Sequence, residues 1–354
     1  MEPVTHLMTG ACLARAGFNR NAAYATLGMV IGAELPDIDT LWGVNGPVAA
    51  FQHHRGWTHT FLGIPVEAAV LVGGIWVWHR WRMRAGKVET GKKAAPLRWG
   101  RLFCFVVVAL LSHILLDWTN NYGVRPFFPF NPRWYSGSIV FVFEPVLFVM
   151  LLGALVAPHL FGLIGSELGA RKDRFRGRGW AVTALLGLVA LWGWREVERL
   201  NAMRLVGEED PGGQEMLRVD LSPYPVSPYK WHAVVETPGF YQLATVDTWR
   251  GQVTSEPEDT VYLPQTTVST LVAKRSWLGE AYLDWSQFPL VQEVPKGQDD
   301  VDQNLRVVTF QDLRFMYDVP FLRSQGSRTP LEGSVTVQDG HTVVGMEMGG
   351  RAQR

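Results

Sequence analysis

The chain has 354 residues with Lys+Arg and Asp+Glu balanced at 33 each, a length that suits two domains and a neutrality that argues against a polyanionic partner such as nucleic acid. The two cysteines, Cys12 and Cys104, both sit inside apolar segments, which excludes a disulfide framework and a cysteine-based metal motif. The mean hydropathy of +0.03 averages two unlike halves: long apolar runs up to about residue 197, and an ordinary soluble pattern after about 207.

In chain order, residues 3–16 are small and apolar, Gly17-Phe18-Asn19-Arg20-Asn21 reads as a turn, and residues 22–33 are apolar again. Each run is too short to cross a hydrocarbon core of about 30 Å at about 1.5 Å per residue. The expected element is a helical hairpin that dips in and returns, leaving His6 and the acids Glu34, Asp37 and Asp39 on one side. The N-terminus lacks the basic region of a cleavable signal peptide, so insertion is expected to rely on the apolar segments.

Spans are expected at Phe61–Trp78, Leu102–Trp118, Ile139–Leu163 and, as the shortest run, Trp180–Trp194. Several of the fifteen tryptophans (Trp57, Trp78, Trp81, Trp99, Trp118, Trp180, Trp194) close apolar runs, where a bilayer interface favours them. Two loops are rich in basic residues, Arg80–Arg101 with Lys87, Lys92 and Lys93, and Arg171–Arg178 with Lys172 and Arg174. The positive-inside rule makes them cytoplasmic, and Arg15 and Arg20 at the hairpin tip agree. The N-terminus, residues 35–60, the loop 118–138 and the C-terminal domain then fall on the outer face of a bacterial inner membrane.

Residues 201–228 read as a linker with Pro211-Gly212-Gly213 and Pro223, Pro225 and Pro228. From residue 229 to 354, short apolar/polar alternations rich in Val, Thr and aromatics argue an antiparallel β domain. His232 and His341 are isolated there and read as structural. The fold class is thus a polytopic α-helical membrane domain over 1–200, with an N-terminal hairpin plus about four spans, followed by a soluble β-rich domain.

The chemistry concentrates in Glu34-Leu35-Pro36-Asp37-Ile38-Asp39 and His53-His54-Arg55-Gly56-Trp57-Thr58-His59, which together hold three carboxylates and three imidazoles. Such density suits a divalent cation, zinc first, with manganese or iron also compatible. His113 and Asp117, spaced i, i+4 near the outer end of a span, project from one stripe and suit either a cation or a helix-packing hydrogen bond. His6 reads as a further ligand or as a polar helix start. Arg55 and Gly56 are expected to form an exposed turn, with Arg55 clamping an anionic oxygen or snorkelling to head groups, and Thr58 capping the next span. Glu144, followed by Pro145, is a ligand, a general base or a partner of Arg55 or Arg133.

These motifs resemble the bacterial family described as LexA-regulated, inner-membrane metal-dependent hydrolases, over about residues 1–165. The shared pattern is His6, Leu-Pro-Asp-Ile-Asp (Leu35 to Asp39), His-Arg-Gly-x-Thr-His (His54 to His59), His-x-x-x-Asp (His113, Asp117), Tyr122-Gly123 and an acid before proline, here Glu144 where Asp is more frequent. The His/Asp set is also similar in style to zinc-dependent phospholipases C. The resemblance implies a membrane-bound metal-dependent hydrolase.

The expected metal ligands are His6, Asp37, Asp39, His54, His59, His113 and Asp117. Glu34 or Glu144 is the expected general base, and Arg55 the expected electrostatic clamp. Membrane lipids are the expected partners, and a lipid or lipid-linked phosphoester or acyl ester the expected substrate. The alternative is a non-enzymatic membrane metal transporter or sensor.

Overall fold

A computed structural model of the chain describes residues 1–86, 95–167, 176–294, 304–317 and 330–353. The basic residues Lys87, Lys92, Lys93, Arg171, Lys172 and Arg174 lie outside the described residues. The chain divides into two compact units. The first is Met1–Ile38 with Arg55–Glu196, and the second is Asp39–His54 with Val197–Arg354.

The first unit is helical. Helix α1 (Pro3–Leu13) starts with Pro3 in its first turn, where a missing N–H costs nothing, and the Glu2 carboxylate accepts from Thr5 N at 2.8 Å. Helix α2 (Ala25–Gly32) returns alongside it. Gly10 permits that approach: a Cβ there would collide with the Met29 carbonyl oxygen and lie 2.8 Å from the Ala33 Cβ. Ala14, Met29, Ala33 and Ala109 then close into one small-residue cluster.

Long helices α4 (Gly63–Arg84), α5 (Trp99–Trp118) and α6 (Pro145–Glu167) follow, α3 being the short helix Pro47–His53 of the second unit. Leu102, Val106, Leu110 and Ile114 of α5 recur every fourth residue, forming one stripe that packs on Ile64, Ala68 and Ile75 of α4. Leu147, Leu151 and Ala154 of α6 pack on Met8 and Cys12 of α1 and on Ala181, Ala184 and Leu188 of helix α7 (Arg178–Gly207).

Among the described residues, two helices are long and apolar enough to cross a membrane, Trp99–Trp118 and Pro145–Gly162. A third counts if the bent pair ending in α4 is one span. The run expected to span from Ile139 becomes helical only at Pro145, because the Ile139 and Val140 amides bond the Thr119 carbonyl at 2.7 and 3.1 Å. The Trp180–Trp194 run lies inside α7, whose apolar stretch stops at Arg195-Glu196 while the helix continues to Gly207.

The second unit is β-rich, with two antiparallel sheets. Strands β1 (Arg218–Pro223), β2 (Lys230–Glu236), β3 (Phe240–Asp247) and β4 (Gln252–Thr254) are neighbours in that order, and β5 (Thr260–Tyr262) also pairs with β3. The other sheet runs β10-β9-β8-β7-β6, built from Pro289–Val294 (β6), Leu305–Asp312 (β7), Gly333–Gln338 (β8), Thr342–Met348 (β9) and Arg351–Ala352 (β10). Helices α8 (Val268–Lys274) and α9 (Trp277–Trp285) lie between β5 and β6 in the chain. Alternation along β2 divides its faces. Trp231, Ala233 and Val235 pack with Ala202 and Val206 from the end of α7, and Val234 packs with Phe288, Leu290 and Leu313.

Residues 201–228, expected as linker, hold the last turns of α7 and strand β1. The segment Asp39–His54 groups with this unit because Phe51 stacks on Tyr282 at 5.6 Å, Gln52 accepts from Trp277 Nε1 at 2.8 Å, and Gln353 bonds Val48 N and Asn45 O at 2.9 and 2.8 Å.

Candidate metal centre

The centre is assembled at the end of α5 from four stretches of the first unit. The hairpin supplies His6, the segment after α2 supplies Glu34 and Asp37, the stretch before α4 supplies Arg55 and His59, and α5 supplies His113 and Asp117. One helical turn between His113 and Asp117 stacks both side chains on the buried stripe.

Asp37, His59, His113 and Asp117 present one donor atom each within 4.8 Å of one another. The Nε2 atoms of His59 and His113 are 3.1 Å apart. Asp37 Oδ1 lies 3.4 Å from His59 Nε2 and 3.6 Å from His113 Nε2. Asp117 Oδ2 lies 3.5 Å from each of the same nitrogens. Four donors arranged tetrahedrally at zinc distances, 2.0–2.1 Å from the ion, stand about 3.3–3.4 Å apart, so the residues present fit a small divalent cation.

The surroundings favour a cation at that point. His113 Nδ1 is 2.7 Å from the Ala33 carbonyl, an acceptor only, so that nitrogen carries a proton and Nε2 faces the other donors. Among the described residues Asp117 Oδ2 has no hydrogen-bond partner, and neither has either His6 ring nitrogen. His6 stacks on His113 with ring centroids 3.8 Å apart and places Nε2 3.4 Å from Asp117 Oδ1. It stands beside the four donors, outside the group.

Arg55 is buried, which corrects the expectation of an exposed turn. Its guanidinium reaches Asp117 Oδ1 at 2.9 Å, the Gly123 carbonyl at 2.8 Å and Asn120 Oδ1 at 3.3 Å, with its carbon 4.7 Å from the centre of the Tyr122 ring. The loop closes around it because Asn120 Oδ1 also accepts from Tyr122 N at 2.9 Å, a side-chain turn favoured by asparagine. Arg55 itself adopts φ 55°, a left-handed conformation that a non-glycine residue holds only when its surroundings dictate it. The Met1 amino group pairs with the same Asp117 oxygen. The cap expected at Thr58 falls to Thr60, whose Oγ1 accepts from Gly63 N at 2.9 Å, while Thr58 Oγ1 lies 3.1 Å from His59 Nδ1.

Glu34 is half-buried, and its Oε2 lacks a hydrogen-bond partner among the described residues. Burial first, and then the neighbouring Asp37 carboxylate, push its carboxyl up to about 7. Asp37 responds the other way. Burial alone would raise it, but the imidazoles of His113 and His59 hold it well below the usual carboxylate range.

Three expected site residues lie outside the four-donor group. Asp39 and His54 form a pair in the second unit, His54 Nδ1 to Asp39 Oδ1 at 3.2 Å. Glu144 is buried and outside the four-donor group. Burial raises its carboxyl, and the opposing guanidinium is that of Arg195, where Arg55 or Arg133 was expected. The roles of Asn120 and the Ala33 carbonyl were missed; the Asn120-Asn121 turn signal after the span was the one available cue to the first.

Residues 1–202 match the family described as YdjM inner membrane protein. A protein of Bacillus subtilis (strain 168) described as "Uncharacterized protein YfhP" is 21% identical over 173 residues, which cover 47% of this chain and 48% of that protein. No solved structure matches the chain.

Proposed function

The chain belongs to the YdjM inner membrane protein family, and from that premise we propose that it is a membrane-bound metal-dependent hydrolase acting on a phosphoester or acyl bond of a lipid or lipid-linked substrate. The observation that carries this reading is the set of four donor atoms within 4.8 Å of one another, each imidazole nitrogen 3.1–3.6 Å from the other three donors, at the end of an apolar helix.

Asp37, His59, His113 and Asp117 would hold the cation, and two imidazoles with two carboxylates suit zinc best. Such a cation supplies Lewis acidity toward a phosphoryl or acyl oxygen and makes water acidic enough to attack at neutral pH. Glu34 is placed to act as proton acceptor, because its Oε2 has no hydrogen-bond partner among the described residues and Asp37 and His113 act on its charge. Asp37, at 14% side-chain exposure, is the most open of the four and marks the side from which substrate enters. Arg55 is assigned to positioning: it fixes Asp117 Oδ1 and leaves Oδ2 for the cation.

The arginines support an outward-facing site. Arg80, Arg82 and Arg84 end α4, Arg98 and Arg101 begin α5, and Arg15 and Arg178 cluster where Arg178 Nε bonds the Ala16 carbonyl at 2.9 Å. All lie at helix ends opposite the donors, the arrangement expected when that end is cytoplasmic.

The alternative, a metal transporter or sensor, needs polar groups along the depth of the spans. Between Leu102 and Ser112, α5 carries no ionisable side chain except Cys104, which favours the enzyme.

The test is elemental analysis of the protein purified in detergent, followed by a panel of phosphodiesters, phosphomonoesters and lipid esters before and after chelation. One metal per chain with chelator-sensitive turnover supports the hydrolase. Metal without turnover on any class supports the sensor or transporter. A folded chain with only trace metal ends both.

A further inference from the structure

We infer that Trp57, Phe61, Phe127 and Phe130 form a membrane-seated rim, lodged at the headgroup level of the bilayer beside the metal centre. All four are large apolar side chains open to the surroundings, Phe130 at 86% and Trp57 at 57% exposure. They are held in place by rigid neighbours. Trp57 meets the Phe128 ring edge-on at 5.2 Å, Phe61 meets Phe127 at 5.3 Å, and Phe61 N bonds the Pro126 carbonyl at 2.9 Å. Arg125, buried, stacks its guanidinium on Phe128 at 4.9 Å and on Trp134 at 4.8 Å, which stiffens the loop beneath the rim.

The occupant follows from continuity. The rim lies where α4 begins, α5 ends and α6 begins. Exposed Leu111, Leu115 and Trp118 run down α5 from it, and exposed Val146 and Val149 run down α6. Exposed apolar residues on two candidate spans, with exposed aromatic rings on the stretches that join them, are the pattern of a membrane interface belt. Arg133, exposed and 5.6 Å from the Tyr135 ring centre, supplies a cation at the depth where lipid phosphates lie.

The rim and the centre share one segment, since His59 lies two residues from both Trp57 and Phe61. A rim at headgroup depth therefore brings the donors to the level of lipid phosphates and esters. This deepens the hydrolase reading, on which it rests for its consequence, by making the substrate a lipid that enters sideways from the leaflet.

The experiment uses the full chain carrying Cys104→Ser and Phe130→Cys, labelled with bimane and reconstituted in phosphatidylethanolamine/phosphatidylglycerol nanodiscs. Phe130 packs little, so the substitution spares the fold, and Trp57→Cys serves as a second reporter. The expected result is loss of fluorescence to lipids bearing a headgroup nitroxide, with protection from aqueous iodide. Loss to iodide alone, loss only to a deep acyl-chain nitroxide, or protection from every quencher would overturn the inference. Metal content measured on the same samples keeps this result separate from failure of the hydrolase reading.

Discussion

His59 and His113 turn their Nε2 atoms toward one another at 3.1 Å, while His113 Nδ1 is committed to the Ala33 carbonyl at 2.7 Å. Two imidazole nitrogens meeting so closely need something positive between them, either a shared proton or a metal cation. Protons and metal therefore compete for one position, so metal affinity is expected to fall as the medium is acidified.

Removing a donor should empty the centre. His113→Ala and Asp37→Ala are each expected to reduce co-purified metal from one per chain to a trace, read by elemental analysis on protein that elutes as the wild type does. Retention of full metal by both variants would rule out the four-donor assignment.

Glu34→Gln separates the base from the ligands. It should keep its metal and lose about 10²–10⁴-fold in turnover, the usual contribution of a positioned general base. Loss of metal instead would move Glu34 into the ligand set.

Arg55→Ala should destabilise the first unit by about 3–5 kcal/mol, because it strips a buried carboxylate of its guanidinium. Arg55→Lys keeps the charge but cannot hold Asp117 and the Gly123 carbonyl together, so its metal affinity should fall between those of wild type and Arg55→Ala. Chelator competition measures the order.

Gly10→Leu tests the hairpin. The added side chain would collide with the Met29 carbonyl and press on Ala33, whose carbonyl orients His113. A cost of about 1–3 kcal/mol is expected from overpacking, accompanied by weaker metal binding. Unchanged metal affinity at a lowered melting temperature would confine Gly10 to packing.

In the second unit, Asp312 and Arg314 are fully buried and bonded at 2.8 Å. Burial alone would raise the Asp312 carboxyl, but Arg314 outweighs it and holds the group below its ordinary value. A carboxyl depressed in the folded state stabilises above the unfolded value of about 4 and loses that contribution as pH falls through the folded value. Asp312→Asn should therefore accelerate hydrogen exchange of the β7 amides strongly at pH 7, and the difference from wild type should shrink below about pH 4.

Much of the centre is legible in the sequence because its chemistry is local. The i, i+4 spacing of His113 and Asp117 fixes their common stripe before any fold is known, and two apolar runs too short to span imply a return that carries His6 back toward Glu34. What the sequence hides is long-range. Nothing near Arg55 reveals that Asn120, Tyr122 and Gly123 will close over it, so a motif arginine reads as exposed when it is buried against Asp117. The Asp39–His54 segment belongs with the β-rich unit through Phe51 and Gln52, contacts made more than two hundred residues away in the chain. The last apolar run misleads for a different reason: polarity changes at Arg195, but Arg, Glu, Leu, Met and Ala all favour helix, so α7 continues.

Asp117 divides its two oxygens between Arg55 and the donor group, and that sharing fixes the charge of the pocket. Asp37, Asp117 and the ionised Glu34 together carry three negative charges and Arg55 one positive, leaving minus two with neutral imidazoles. A divalent ion cancels that charge, and a proton taken up by Glu34 then leaves the pocket at plus one. With Glu34 protonated, the ion-loaded pocket attracts anions before any specific contact forms, so inorganic phosphate and sulfate should compete with substrate.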